Sequence, residues 1–157
     1  MLNLETFKTV IASTPLVSID LIIRNDKGQV LLGKRINKPA QGCWFVPGGR
    51  VLKDELFKSA FDRILRTELG ISAGKGDFIG IYEHFYENNF TGTGFSTHYI
   101  VLAYEVYLTR LLENMPIDQH SEYRWYSIED LLADCNVHQH TKWYFQKLTP
   151  ADTSVTK

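Results

Sequence analysis

Apolar runs along the chain predict a fold rich in strands. Two such runs, Leu16 to Arg24 and Gln29 to Arg35, flank the sequence Asn-Asp-Lys-Gly at residues 25–28, which is typical of a tight turn, so they are predicted to form a hairpin. Further strands are predicted at Phe78 to Tyr86, His98 to Leu108 and Arg124 to Tyr126. Segment 88–96, rich in glycine and asparagine, joins two of these strands and is a candidate lid.

Helical periodicity separates the predicted strands. The predicted helices are an N-terminal apolar stripe from Leu2 to Ile11, then Asp54 to Leu69, Ser127 to Ala133 and His140 to Leu148. The polar tail 149–157 is expected to fray. No repeat or linker interrupts this order, so residues 1–157 are predicted to form a single α/β domain.

One carboxylate interrupts the apolar stripe of the helix predicted for 54–69. Glu68 falls directly below Ile64 by the i, i+4 rule, among apolar side chains. An unpaired buried charge is costly, so its partner is expected to be a metal ion or one of the arginines Arg63 and Arg66. The helix alone does not choose between these two partners. The glycine pair before the helix, which lets backbone approach a ligand closely, favours a metal site.

The amino-acid composition limits the kinds of partner and the cellular compartment expected for this chain. The 157 residues are 44% hydrophobic, enough for one core, and 17 basic against 18 acidic residues leave no basic excess for nucleic acid. Two cysteines, Cys43 and Cys135, cannot form a disulfide framework, and the N-terminus lacks the pattern of a signal peptide. No apolar run reaches the roughly 18 residues of a membrane span. A cytoplasmic protein without a membrane or nucleic-acid partner is expected.

The segment from Gly49 to Ile71 resembles the Nudix box. Seven residues stand in register with it: Gly49, Glu55, Arg63, Leu65, Glu68, Gly70 and Ile71. Ile64 and Thr67 stand where that family carries two glutamates. The resemblance implies an α/β/α sandwich in which helices flank a mixed β-sheet, and metal-dependent hydrolysis of a nucleoside diphosphate linked to another group. With two glutamates missing, we expect a single magnesium ion per subunit, for which manganese could substitute.

A longer resemblance, from about residue 7 to 145, is to the GDP-mannose mannosyl hydrolase branch of that family. It is carried by the segments 13–18, 33–35, 39–42, 44–51, 97–99 and 119–120. Members of this branch lack the same box glutamates and cleave the bond between the sugar's anomeric carbon and the phosphate oxygen, with inversion. The resemblance therefore implies release of GDP and free mannose, with GDP-glucose as a second substrate.

The resemblance also implies a set of site residues. The magnesium ligands would be the Gly48 carbonyl, Glu68 and the Gln119 amide oxygen, all hard oxygen donors. Phosphate contacts and charge stabilisation would come from Arg35, Arg50, Arg63 and Tyr99. Arg35, Arg63 and Tyr99 are therefore carried over as catalytic residues as well. Ignoring the family, each arginine could equally be a surface charge.

Three further residues are candidates around the sugar. His120, in the predicted loop 116–122, is the expected general base, although an exposed loop histidine is the ordinary reading of such a position. Asp20 would act electrostatically, unless strand alternation points it to solvent. His84 would orient the sugar or the base, or serve as a paired structural histidine.

The two ends of the chain are expected to have different roles. In the resembled branch the N-terminal arm, about residues 1–12 here, is exchanged within a homodimer, which would bring Leu2 and Phe7 near the guanine. The alternative is a helix that packs on its own subunit. Near the other end, His138 and His140 lack a third zinc ligand nearby, and Tyr144 with its aromatic neighbours is expected to build core or interface.

Three functions remain open at this point. The first is the inverting sugar hydrolase, and the second is an ordinary Nudix pyrophosphatase that releases GMP and a sugar phosphate. The third is a catalytically silent nucleotide-sugar sensor. The absent glutamates favour the first over the second, and the presence of Arg63, Glu68, Gln119 and His120 together argues against the third.

Overall fold

The computed structural model describes residues 2–72, 74–92, 94–108, 115–116, 118 and 120–146. Its helices are α1 Leu4–Ser13, α2 Phe57–Leu69, α3 Ile128–Ala133 and α4 Gln139–Trp143. Its strands are β1 Leu16–Arg24, β2 Val30–Arg35, β3 Trp44–Phe45, β4 Gly48–Arg50, β5 Asp77–Tyr86, β6 Thr97–Tyr107 and β7 His120–Tyr126. Gln119, Leu148 and the tail 149–157, for which the sequence made predictions, lie outside the described residues.

The strands form one mixed sheet. Its main order is β3-β2-β1-β6-β5, with β4 paired to β1 and β7 paired to β2. β1 runs parallel to β6 along its whole length, whereas the other pairings are antiparallel. The central strand β1 is therefore covered on both faces and carries the near-continuous apolar sequence expected of a buried strand.

Two apolar cores lie on opposite faces of this sheet. Ile19, Leu21 and Ile23 of β1 pack with α2 on one face, while Ile22 of β1 packs with Leu131 of α3 on the other. The C-terminal segment from Val137 to Phe145 adds to the second core. This arrangement is the predicted α/β/α sandwich.

The hairpin prediction is correct at the turn and wrong beyond it. Asn25 accepts hydrogen bonds through its side chain from the backbone N–H groups of Lys27 and Gln29, which closes the turn. β1 and β2 then pair only at Arg24 and Val30. They diverge because β1 pairs with β6 and β4, while β2 pairs with β3 and β7.

Element boundaries differ from the prediction in three places. α2 begins at Phe57, three residues later than expected, because Asp54 has a left-handed backbone with φ of 62°. β7 begins at His120 instead of Arg124, since it continues along β2 as far as Arg35. In α1 the only residue classed as buried is Ile11, although the predicted stripe was longer.

The candidate lid is held by an internal hydrogen-bond network. Asn89 is fully buried; its amide nitrogen donates to the Phe95 carbonyl at 2.8 Å, and its side-chain oxygen accepts from the backbone N–H of Thr91 at 2.9 Å. Opening of this loop remains a prediction. Within the described ranges, no helix is long and apolar enough to cross a membrane.

Candidate active site

One pocket of about 460 Å³ brings most of the predicted site residues together. Those that line it are Asp20, Arg35, Gly48, Arg50, Arg63, Glu68, His84, Tyr99 and His120. They come from seven different elements, so the sheet and α2 together build the site. A cavity of this size is typical of sites for small organic ligands.

The glycine turn lies directly against β1. Gly48 pairs with Asp20, and a Cβ atom at Gly48 would come within 2.5 Å of Asp20 Oδ1 and 2.7 Å of the Ile19 carbonyl oxygen. The Ile19 carbonyl oxygen belongs to the backbone and cannot move without disturbing the central strand. A glycine is therefore required here, and it lets backbone approach the acid of the pocket.

An ion pair fixes the chain between this turn and α2. Arg63 donates to both carboxylate oxygens of Glu55, at 2.7 and 2.8 Å, and also to the Arg50 carbonyl at 2.8 Å. The carboxylate in turn accepts from the backbone N–H of Leu52 at 2.9 Å. The hydrogen bonds from Arg63 hold the pKa of Glu55 at about 2. Arg63 thus positions the turn through two of its nitrogens, and its catalytic role remains a prediction.

Glu68 is buried at the pocket wall, as the helical stripe predicted. Only 4% of the residue is exposed, and Oε2 lies 3.7 Å from His120 Nδ1. Burial raises the pKa of Glu68 to about 7; Arg35 opposes this shift and Asp118 reinforces it. Because Arg63 pairs with Glu55, the predicted Arg63–Glu68 ion pair is not the arrangement seen.

His120 is a strand residue, so its predicted loop placement is wrong. It is 4% exposed, which also excludes the alternative of an exposed loop histidine. Its ring packs over Gly33, where a Cβ atom would lie 2.5 Å from the ring carbons. Burial, with a contribution from nearby Arg35, lowers the pKa of His120 to about 4. The imidazole is therefore neutral near pH 7, the form in which a base accepts a proton.

Asp20 and His84 meet at the opposite wall through one phenol. Asp20 is half-buried instead of pointing into solvent, and its Oδ2 accepts from the Tyr144 hydroxyl at 2.6 Å. Burial raises the pKa of Asp20 to about 6, while Tyr144 and Arg35 oppose the shift. The Nε2 atom of His84 lies 3.3 Å from the same hydroxyl.

A stack of histidine rings supports His84. Its ring lies 4.2 Å from that of His140, nearly parallel, and His138 lies 4.5 Å beyond. Burial, followed by the charges of His140 and His138, lowers the pKa of His84 to about 3. His138 also caps α4 by accepting from the His140 backbone N–H. His84 therefore fits both interpretations given above: it lines the pocket, and it also packs against neighbouring rings.

Arg35 supplies positive charge close to the carboxylates of Asp20 and Glu68. Its Nε is buried and makes no hydrogen bond among the described residues, and its guanidinium lies 5.4 Å from the Phe45 ring centre. Burial is costly for such a donor unless a ligand completes it. An anionic ligand with several oxygens fits this requirement.

Arg50 and Tyr99 lie at the same pocket. The Arg50 guanidinium lies 4.2 Å over the Phe7 ring, which itself contacts Phe90 at 5.1 Å. Burial raises the pKa of Tyr99, so its hydroxyl remains a hydrogen-bond donor. These contacts place Phe7 beside the pocket within its own chain. Leu2 is 54% exposed and does not line the cavity, and exchange of the arm remains a prediction.

The described residues fit a metal site with few protein carboxylates. Across the described ranges, no group of three or more histidine, cysteine, aspartate or glutamate side chains could hold a metal ion. Burial nevertheless raises the pKa values of the Asp20 and Glu68 carboxylates. A divalent cation would compensate the negative charge of these two groups. The proposed ligand Gln119 lies outside the described residues.

The wall formed by α2 has a distinctive composition. Its pocket-lining residues are Arg63, Ile64, Thr67 and Glu68, so within the described chain this wall presents a single carboxylate. Ile64 is buried under Gly49, whereas Thr67 is exposed. The two departures from the motif thus both face the site.

Tyr144 is the site residue that sequence reasoning missed. It was expected only to build core or interface, the usual role of large aromatic side chains. Its partner Asp20 lies 124 residues away, so no local pattern could reveal the contact.

Comparisons with known proteins agree with this architecture. A family model described as NUDIX domain matches residues 14–147. The low-salt glycan biosynthesis protein Agl8 of Haloferax volcanii is 42% identical over 119 residues, 75% of this chain and 74% of that protein. An ADP-ribose pyrophosphatase of Methanocaldococcus jannaschii is 37% identical over 68 residues, 43% of this chain and 40% of that protein. A MutT protein structure from Methanosarcina mazei has a TM-score of 0.68 at 27% identity and covers 85% of this chain and 92% of that one.

Proposed function

The chain belongs to the NUDIX family of hydrolases, whose domain model spans most of it, and we propose that it hydrolyses GDP-mannose to GDP and free mannose. GDP-glucose is proposed as a second substrate. In this reaction water attacks the anomeric carbon, the bond from that carbon to the phosphate oxygen breaks, and the sugar inverts. The observation that carries the proposal is the α2 wall, where Ile64 and Thr67 replace carboxylates that conventional members would use.

The charged end of the pocket suits the diphosphate. Arg35 has a buried Nε without a described partner, and Arg50 and Tyr99 add further donors. The Gly48 carbonyl, Glu68 and Gln119 would hold one magnesium ion. Such an ion, when bound, stabilises the negative charge that develops on the departing phosphate oxygen. The arginines orient the diphosphate so that its bond to the sugar faces the middle of the pocket.

The remaining residues act on the sugar and on water. His120 is neutral near pH 7 and accepts the proton that water loses as its oxygen bonds to carbon. Asp20 and His84 form hydrogen bonds with sugar hydroxyls from the opposite wall. This logic is that of an inverting glycosidase in which a histidine takes the place of the basic carboxylate.

A nucleotide-sugar substrate agrees with the name of one relative, the low-salt glycan biosynthesis protein Agl8. Agl8 is named for glycan biosynthesis, a process that consumes activated sugars, and it matches three quarters of this chain. Two relatives match much shorter segments: the ADP-ribose pyrophosphatase of Methanocaldococcus jannaschii covers 43% of this chain, and a CTP pyrophosphohydrolase of Escherichia coli covers 40%. They support a second candidate, attack at phosphorus to give GMP and mannose phosphate, which the retained Glu55–Arg63 pair also accommodates.

Product analysis in oxygen-18 water with magnesium tests the proposal. GDP together with labelled mannose is the expected result. GMP with mannose phosphate would replace the proposal with the pyrophosphatase, and absence of turnover on GDP-mannose and GDP-glucose would favour the sensor. Replacing magnesium by manganese in the same assay should retain turnover, because both ions accept oxygen ligands.

We also propose a homodimer in which α1 is exchanged. The proposal is supported by the exposure of Leu4 on this short helix and of Leu2 just before it, each 54%. Light scattering should then give about twice the chain mass of 18.1 kDa. A monomer would contradict the exchange and leave α1 packed on its own chain.

A further inference from the structure

We propose that Tyr144 is a positioning residue of the pocket: its hydroxyl joins Asp20 to His84 and fixes the orientation of both side chains. The hydroxyl oxygen lies 2.6 Å from Asp20 Oδ2 and 3.3 Å from His84 Nε2. Asp20 and His84 line the cavity, whereas Tyr144 lies behind them. The proposal concerns this triad and uses the proposed substrate only in its kinetic test.

The direction of the two hydrogen bonds follows from the donor inventory. A phenol has one proton, and an ionised carboxylate only accepts, so Tyr144 donates to Asp20. The phenol oxygen can then accept from His84 only if Nε2 carries a proton. His84 is neutral because burial lowers its pKa to about 3, and a neutral imidazole holds one ring proton. The triad therefore assigns the Nε2–H tautomer to His84 and leaves Nδ1 as an acceptor.

The position of Tyr144 is set by the fold and not by Asp20. The C-terminal segment that carries it is tied to β3, because Trp44 donates to the Asn136 carbonyl at 2.9 Å and accepts from the His138 N–H at 3.1 Å. The Tyr144 ring also meets the Tyr82 ring edge-on at 4.7 Å. A hydroxyl held in this way can orient a carboxylate that would otherwise rotate.

The consequence for Asp20 is that its two oxygens have separate roles. Oδ2 is bound by Tyr144, while Oδ1 lies against Gly48 at the pocket. Without the hydroxyl, Asp20 would lose its fixed orientation and His84 would lose its acceptor. We therefore expect both side chains to present their polar atoms less accurately to a bound ligand.

A double-mutant cycle tests whether Tyr144 acts through Asp20. Tyr144→Phe should lower kcat/KM for GDP-mannose by about 10- to 100-fold, the usual effect of losing a hydrogen bond to a charged group. GDP affinity should stay within about twofold, because the diphosphate is bound at the other wall. In the Asp20→Ala background, Tyr144→Phe should then cost clearly less than in the wild-type background, and the remaining loss is the part that acts through His84. Equal losses in both backgrounds would overturn the proposal.

Tyr82→Phe is the matched control. It removes the hydroxyl of the ring that contacts Tyr144, and that hydroxyl makes no hydrogen bond within the described residues. It should leave kcat/KM within about twofold, as expected for a site outside the triad. A loss equal to that of Tyr144→Phe would indicate a general packing defect and contradict the specific role.

The tautomer gives a test that needs no turnover. Nitrogen-15 NMR of the wild-type histidine rings should show His84 with its proton on Nε2, and Tyr144→Phe should weaken protection of that proton from solvent exchange. A proton on Nδ1 in the wild type would overturn the triad. Since this readout is independent of substrate, a failure to turn over GDP-mannose would reject the proposed function and leave the triad standing.

Discussion

The two walls of the pocket differ in the charge states of their titratable side chains. On the α2 side, Glu55 and Arg63 keep their charges because they pair, and the pKa of Glu55 falls to about 2. On the C-terminal side, burial lowers the pKa of His84 to about 3 and that of His140 to about 4, so their rings are neutral. The α2 side therefore offers an ion pair, whereas the C-terminal side offers neutral histidine rings beside the single carboxylate of Asp20. This division suits a ligand with a charged half and a hydroxyl-rich half, as the proposed nucleotide sugar has.

His120 lies between these walls, and its replacement should have the largest effect. His120→Gln should retain binding of GDP-mannose with magnesium but lower kcat by about 10²- to 10⁴-fold, since a general base contributes that much. The reason is that glutamine can keep a hydrogen bond but cannot take up a proton. Steady-state kinetics together with calorimetric binding would separate the two quantities.

The control for that variant is His98→Gln. His98 stacks on Phe85 at 4.3 Å and does not line the pocket. It should therefore keep kcat within about twofold, in line with a site away from the chemistry. Near-normal turnover by His120→Gln would remove His120 as the base, whereas unfolding of that variant, seen by circular dichroism, would call for His120→Asn instead.

A second comparison concerns the two missing glutamates of α2. Ile64 is 1% exposed and lies under Gly49, so Ile64→Glu should lower the free energy of unfolding by about 3 kcal/mol or more through a buried unpaired charge. Thr67 is exposed, so Thr67→Glu should change it by less than about 0.5 kcal/mol. Urea unfolding at pH 7 measures both.

Ile64→Gln separates charge from shape at the same position. A stability loss from Ile64→Glu that clearly exceeds that of Ile64→Gln would assign the difference to the charge. If Ile64→Glu were as stable as the wild type, the new carboxylate would have found a cation. The positive charges of the α2 wall would then not already be paired, which contradicts the division of charge between the two walls.

How much the sequence could predict differs between these walls as well. The α2 wall is encoded locally: the periodicity that placed Glu68 in the apolar stripe, and the register of Glu55 and Arg63, lie within one segment. The α/β/α sandwich was expected from the resemblance of that segment to the Nudix box. These features were therefore predictable because each depends on residues close together in the chain.

The C-terminal wall depends on pairings between distant segments. His120 becomes a buried strand residue only because β7 follows β2 to Arg35, and the sequence could not reveal this continuation. Likewise the turn at Asn25 was predicted from local chemistry, but the choice of β6 as the partner of β1 was not. Long-range register decides which polar side chains meet, so Tyr144 was not recognised as a partner of Asp20.

The last predicted effect, on the order of 1 kcal/mol, tests the Glu55–Arg63 pair of the α2 wall through the pH dependence of stability. Glu55 has a folded-state pKa of about 2, whereas its ordinary pKa is 4.5. Its pair with Arg63 therefore stabilises the fold at pH values above 4.5, and this stabilisation is lost as the pH falls toward 2. Because the carboxylate is only partly buried, the contribution is on the order of 1 kcal/mol. Glu55→Gln should therefore be less stable than the wild type at pH 7, and the difference should shrink as pH falls from about 4.5 to 2. The exposed Glu122→Gln serves as control, and denaturant unfolding across this range is the measurement. A difference independent of pH would mean that Glu55 acts through its shape and hydrogen bonds, and that the α2 wall does not depend on charge in the way its geometry indicates.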